Sequence, residues 1–255
     1  MKLKERDGLV VVLAATAGST DAWSYFGLGH VFIANMTGNT VLLGAAISHA
    51  QRAEIARPLF AVTFYVLGVF VGTWLLDTCF RRLAGGGAEG GAGKRSSAGE
   101  QVWPRAVSWV LCIESLLLVA GAATWAYHQA PGRSTTPGLR HGLVGLAAVA
   151  LGLQSAAMQS LKLPGIVTTY ITGTWTTLVA GVSRLATGKK ADDGTKTQLR
   201  MQAAVLTAYC ASAAFSGLLF KLWPPGLGVL PALAVSLVAG YGLLTGPGRL
   251  PGAKV

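Results

Sequence analysis

The chain has 255 residues, 52% of them hydrophobic and only 12% charged, with 21 Lys plus Arg against 10 Asp plus Glu for a net charge of +11. Soluble domains carry about 25% charged residues, so the polar surface that a water-soluble globule of this length requires is missing. The basic residues lie between apolar runs rather than on one folded polar face, which argues against a nucleic-acid partner.

A helix crosses a hydrocarbon core of about 30 Å with about 20 apolar residues. Eight apolar segments reach or approach that length: 8–27, 31–48, 58–80, 104–127, 141–161, 165–183, 201–220 and 227–246. The first is longer than a signal-peptide core and no small-residue cleavage site closes it, so it is expected to stay in the mature protein. The first and second are nearly continuous, as are the fifth and sixth. Between the third and fourth, the linker 83–101 holds GGGAEGGAGKRSSAGE, a Gly- and Ser-rich stretch that predicts a flexible connection with no core.

Among the charged residues, only Asp21, Asp77, Arg105 and Glu114 fall inside these segments. Lys and Arg in short loops orient a membrane protein. Eight crossings would put Arg81, Arg82, Lys94, Arg95 and Arg105 on the outer side. Counting each adjacent pair as one net crossing, a helix plus a broken or re-entrant segment, moves them inside. The fold expected is therefore an all-α polytopic membrane bundle with six net crossings, both termini cytoplasmic. Cys79, Cys112 and Cys210 are odd in number and far apart, and no metal-ligand spacing joins His30, His49, His128 and His141, so neither a disulfide framework nor a metal or other cofactor is expected.

The chain also repeats itself. VFIANMTGNTVLLGAAIS from Val31 aligns without gaps on IVTTYITGTWTTLVAGVS from Ile166, matching Thr37 and Gly38 to Thr172 and Gly173, Leu43 to Leu178, Ala45 to Ala180 and Ser48 to Ser183. Upstream, Gly18 and Ala22 match Gly152 and Ala156. Downstream, Tyr65, Gly68 and Gly72 match Tyr209, Ser212 and Ser216. Small residues four apart let membrane helices pack closely. Two halves are read, 1–128 including the linker and 129–255. An odd number of crossings per half makes the second an inverted copy of the first, an architecture frequent among secondary transporters.

The run GSTDAWSYFGLGHVFIANMTGNTVLLG, from Gly18 to Gly44, resembles the N-terminal signature of the YoaK-like family of multi-pass bacterial membrane proteins, through Asp21 and Ala22 followed by NMTGNT at Asn35 to Thr40. The second-half TGTW is a looser match, and the general layout extends over most of the chain. The resemblance implies an integral protein of the bacterial inner membrane and supplies no reaction.

Read from the residues, NMTGNT is a helix start inside an apolar region. Asn35 or Thr37 can cap free N–H groups, Gly38 allows close approach of backbone or ligand, and Asn39 sits in the first turn. Such a terminus carries about half a positive charge and attracts anions or carbonyl oxygens. Thr172, Gly173, Thr174 and Trp175 repeat the pattern, so two helix ends are expected to face one solute site. The alternative is that these Thr and Asn side chains only satisfy a kink or bond across a helix interface. Thr168, Thr169, Thr176 and Thr177 add hydroxyls to the second segment, for a polar pathway or for bonds to their own backbone.

Asp21 and Glu114 are the ionisable groups at membrane depth and the candidates for ion or proton coupling; ties to neighbouring donors are the structural alternative. Gln154 and Gln159 read as interhelical glue. The seven Trp lie mostly near segment ends, as an aromatic belt does, with Trp175 the exception. No nucleophile elbow, phosphate loop or HExxH motif occurs. The leading reading is a small secondary transporter or permease for a small polar or anionic solute. The alternatives are a membrane-embedded enzyme on a lipid or isoprenoid substrate, with Asp21 and Glu114 as acid and base, and a non-catalytic scaffold packed through Gly68 with Gly72 and Gly242 with Gly246. The partners expected are the lipid bilayer and that solute, with a homo-oligomer left open.

Overall fold

This computed structural model describes residues 5–49, 52–85, 103–161, 171–187 and 192–245. The regular structure in them is helical. In chain order it comprises α1 (Glu5–Trp23), prolonged by a π-helical segment Ser24–Gly29; α2 (Met36–Ser48); α3 (Arg52–Gly85); α4 (Arg105–His128); α5 (Pro137–Ser160); α6 (Ile171–Ala186); α7 (Asp193–Leu222); and α8 (Val229–Thr245), which follows a 3₁₀ turn Pro224–Gly228. Among the described residues five spans are long and apolar enough to cross a membrane: Glu54–Cys79, Arg105–His128, Pro137–Ser160, Asp193–Leu222 and Pro224–Thr245. Large apolar side chains on their outer faces, such as Phe70, Leu116, Leu222 and Leu237, are 70 to 75% exposed. A surface of that kind is stable against hydrocarbon and not against water, so the bundle is a polytopic membrane protein in contact with lipid.

Helix ends differ from the hydropathy-based boundaries in a consistent way. The third and seventh helices begin before their apolar runs, at Arg52 and at Asp193, because the run marks the part matched to hydrocarbon while backbone hydrogen bonding extends into polar turns. Pro58 lies inside α3. Asp192 caps α7 by accepting Thr195 N at 3.0 Å. The linker expected at 83–101 is helical through Gly85; its remainder lies outside the described residues, as do Thr168 and Thr169.

Packing joins the two sequence halves. α3 lies along α5 and α1 along α7, α4 crosses α8 and packs on α5, α1 touches α8, and α2 and α6 lean on α3 and α7. Close approaches fix the directions. Gly68 faces Val149 and Gly72 faces Leu153 and Ala156, so α3 and α5 run the same way. Gly18 faces Tyr209 and Ser212 while Phe26 faces Gly217, so α1 and α7 do too. α8 opposes α4, with Gly242 on Ser108 and Ser236 Oγ 2.6 Å from Ser115 Oγ; it also opposes α1, with Gly228 against Trp23 and the Tyr241 hydroxyl donating to Glu5 at 3.0 Å. That last contact puts the first and last described turns on the same side of the bundle. α4 and α5 form a hairpin in which Gly121 meets Leu146. Thus α1, α4 and α7 point one way and α3, α5 and α8 the other, so that α1 opposes α5, α3 opposes α7 and α4 opposes α8.

The sequence-aligned small residues are themselves packing partners. A Cβ on Gly18 would collide with the Tyr209 carbonyl oxygen, and one on Gly152 with that of Tyr65. Helix backbones come this close only where a side chain is absent. The core around them holds Leu13, Trp23, Leu111, Leu151, Met158 and Val205, all at most 1% exposed. Trp23 and Trp125 meet edge to face at 6.5 Å, and Trp125 Nε1 donates to the Pro224 carbonyl at 2.9 Å. Trp23, Trp103 and Trp125 are interior residues, whereas Trp74, Trp109, Trp175 and Trp223 are exposed.

Candidate functional site

The first helix break is built around one carboxylate. Along α1, Thr16, Ser19 and Thr20 are buried but return their hydroxyls to carbonyls three or four residues back, at 2.7 to 3.2 Å. Asp21 carries no proton donor for such a bond when ionised, and its side chain reaches across the break instead. The chain reverses at Gly29, with φ +115°, and His30, with φ +60°. Glycine suits the first of these left-handed positions, and its missing side chain leaves room for Arg57, whose Nη1 lies 3.5 Å from the Gly29 carbonyl. The strand of chain that returns then presents Ile33 N and Ala34 N to Asp21 Oδ1, each at 2.6 Å.

α2 starts directly after this clamp, so its N-terminus lies beside Asp21, with Asn39 turned inward and Asn35 and Thr37 exposed. Asn35 caps it by accepting Gly38 N at 3.1 Å. Asn39, fully buried, holds the backbone of Phe32 at both ends, accepting its N–H at 2.9 Å and donating to its carbonyl at 2.6 Å. From the other sequence half, the Tyr209 hydroxyl donates to Asp21 Oδ2. One buried carboxylate thus ties α1, the returning chain and α7 together with three donors, two of them backbone N–H groups that nothing else satisfies.

Among the eight solute-site residues read from sequence, Asn35, Thr37, Thr172, Gly173 and Trp175 are exposed, Gly38 is half-buried, and Asn39 and Thr174 are buried. In α6, Thr176 and Thr177 return hydroxyls to the Thr172 and Gly173 carbonyls at 3.0 and 2.9 Å, and Gln202 Nε2 donates to Thr177 Oγ1 at 3.0 Å, tying α6 to α7. α2 packs on α3 and α6 on α7, with no substantial packing between α2 and α6 themselves.

Sequence reasoning missed Tyr209 as the partner of Asp21. The signal was present, because Tyr209 aligns with Tyr65. Carrying the Gly18 to Gly152 match three residues on pairs Asp21 with Ser155, and Ser155 Oγ lies 2.7 Å from the Tyr65 hydroxyl. The two contacts occupy matched places, one with a carboxylate and the other with a hydroxyl.

Glu114 is fully buried on α4, and neither of its carboxyl oxygens has a hydrogen-bond partner. It does not join the Asp21 cluster. Gln154, on α5, donates from Nε2 to the Leu13 carbonyl on α1 at 3.0 Å, the interhelical role expected of it. Among the described residues no three His, Cys, Asp or Glu side chains converge as a metal site.

A bundle of long apolar helices with a helix break clamped by a buried carboxylate defines the class: an integral multi-pass membrane protein. Residues 9–241 match the family described as a protein of unknown function (DUF1275), and the chain belongs to that family. It is similar to the UPF0700 transmembrane protein YoaK of Bacillus subtilis (strain 168), 32% identical over 229 residues that cover 86% of this chain and 89% of the relative. No solved structure matches the chain.

Proposed function

We propose that this protein is a small secondary transporter of a polar or anionic solute, built as an inverted duplication with six net crossings and both termini in the cytoplasm. The observation that carries the reading is that α2 begins beside Asp21, directly after the clamp. If α2 re-enters the membrane, as in this reading, its start offers N–H groups and a partial positive charge, the device by which transporters hold anionic groups. The antiparallel relation of matched helices supports the inverted duplication. In this reading Thr37, Asn35 and Gly38 from the first half and Thr172, Gly173 and Trp175 from the second supply the solute contacts. Asn39 and Thr174, being buried, shape the two helix starts. Asp21 acts as a positioning residue for the first of them, and ion or proton coupling falls to Asp21 or Glu114.

The enzymatic alternative requires Asp21 to act as an acid or base, yet both its oxygens are engaged by donors. The scaffold alternative requires free small-residue faces, yet Gly68 and Gly72 pack on α5 and Gly242 packs on α4; Gly246 lies outside the described residues. The test is uptake by the purified full-length protein in liposomes of labelled phosphate, sulfate, acetate, lactate, glutamate and glycine, against protein-free liposomes. Uptake of one of them that drops at least several-fold in Thr37→Val and in Thr172→Val is expected. Uptake of none, or uptake indifferent to both substitutions, removes the reading.

A further inference from the structure

Glu114 is a buried carboxyl that the clamp at the first break leaves unused. Its neighbours on the same stripe of α4, Leu111, Leu118, Gly121 and Trp125, are buried among apolar side chains. Gly121 gives the depth: it meets Trp23 of α1 and Leu146 of α5. Two helical turns, about 10 Å, separate Gly121 from Glu114. The same distance along α1 and α5, given their directions, ends near Thr16 and near Leu153 and Gln154. Ser236 of α8 lies at that depth too, bonded to Ser115. Thr16 and Gln154 have their own partners in α1 carbonyls.

Among the described residues no positive charge faces this position. On α5 the described residues beyond His141 include no ionisable group, and the one titratable side chain on α8 is Tyr241, at the far end beside Glu5. On α1 the nearest ionisable group is Asp21, about 8 Å along the axis from the depth of Thr16 and held by its own donors. The cations at the helix ends, Arg6, Arg105 and Arg140, lie more than about 12 Å along their axes from the same depth. Cys112 is on α4 itself, and the more loosely packed α3 contributes Tyr65, bonded to Ser155, with Glu54, Arg57, Asp77 and Cys79 toward its ends. The 3₁₀ turn Pro224–Gly228 has none.

A carboxylate placed there would give up its hydration with no donor in return, whereas the neutral acid gives up far less. We propose that Glu114 is a proton-binding site, occupied in the conformation seen here and emptied when movement of α4 against α5 and α8 brings water to it. The coupling part of this inference rests on the transport reading above: the bound proton is the coupling ion, and Asp21 is excluded from that task because its oxygens are already committed. Binding is the simple addition of a proton to one carboxylate oxygen, and release is its return to water.

Infrared spectroscopy of the full-length protein in lipid nanodiscs reads the site directly through the carbonyl stretch of a protonated carboxylic acid. At neutral pH the band is expected in the wild type and in Asp21→Asn, and lost in Glu114→Gln. Absence of the band from the wild type, or its persistence in Glu114→Gln, overturns the proton site. Should Glu114→Gln fail to fold, carbon-13 labelling of glutamate in the wild type replaces it: the band must shift, and an unshifted band overturns the assignment. Coupling is read separately in liposomes with the transported member of the solute panel. An inward proton gradient is expected to raise the wild-type initial rate several-fold and to leave Glu114→Gln unchanged. Wild-type uptake that ignores the gradient overturns the coupling while transport stands. Failure of every solute to enter removes the transport reading and the coupling with it, and the infrared band still decides the proton site.

Discussion

Tyr209 on α7 donates its hydroxyl to Asp21 on α1 across 188 residues of sequence. The contact joins the first half of the chain to the second at the point where the membrane helix breaks. Its matched counterpart, Tyr65 with Ser155, joins α3 to α5. Charge-assisted hydrogen bonds contribute about 1.5–3 kcal/mol and neutral ones about 1 kcal/mol, so the first seam is held more strongly than the second.

Removing the carboxylate leaves Ile33 N, Ala34 N and the Tyr209 hydroxyl without their acceptor. Each orphaned buried donor costs about 1–3 kcal/mol, so Asp21→Ala is expected to abolish or severely reduce folded protein. Asp21→Asn keeps one acceptor oxygen for the two N–H groups and is expected to be milder, and Ser155→Ala milder still. Thermal unfolding in detergent, followed by size-exclusion chromatography, ranks them. A double-mutant cycle of Asp21→Asn with Tyr209→Phe measures the direct bond, and strict additivity would deny it.

The glycines divide by what surrounds them. Gly18→Leu and Gly152→Leu drive a side chain into a backbone carbonyl of the neighbouring helix, whereas the position of a Cβ on Gly173 is open for 4 Å. Overpacking costs about 1–3 kcal/mol even where side chains can move, and a helix backbone yields less. Monodisperse yield is expected to fall sharply for the first two and to stay at the wild-type level for Gly173→Ala. Equal yields for all three would mean that the close approaches at Gly18 and Gly152 do not form.

Outside the membrane, the Asp192 carboxyl is held below its ordinary value of 3.8, first by the Thr195 side chain and then by the Thr195 backbone N–H. A lowered folded-state pKa means that the stabilisation of the α7 N-terminus is fully present above the ordinary value and is lost as pH falls through the lowered one. Hydrogen exchange of the first turn of α7 is expected to quicken on acidification below that range in the wild type. In Asp192→Asn that acid-dependent step is expected to disappear; its persistence would assign it to another group.

Topology separates six crossings from eight at one loop. The residues that join α4 to α5 are outside in the six-crossing arrangement and inside in the eight-crossing one. Alkaline phosphatase fused after Gly132 is expected to be active, and a fusion within 86–101 inactive. The reverse pattern would restore eight crossings.

The lengths of the apolar runs alone determine an all-α, multi-pass membrane fold, because hydrocarbon thickness and backbone hydrogen bonding leave a helix as the economical solution for such segments. The sequence also aligns Gly18 with Gly152 and Tyr65 with Tyr209, and the fold uses them at matched contacts, Gly18 against Tyr209 and Gly152 against Tyr65. The sequence likewise marks Asp21 and Glu114 as exceptional, since a carboxyl at that depth needs a reason.

What it could not distinguish is that the two carboxyls differ in kind. Asp21 is clamped by donors from Ile33, Ala34 and Tyr209, and Glu114 has none. Nor could it tell that Asn39 is committed to Phe32 while Thr37 stays exposed. Hydropathy records how deep a residue lies and says nothing of which helix lies beside it. The partners of Asp21 come from a chain reversal and from a helix 188 residues away, so only the tertiary packing of α1 on α7 decides them.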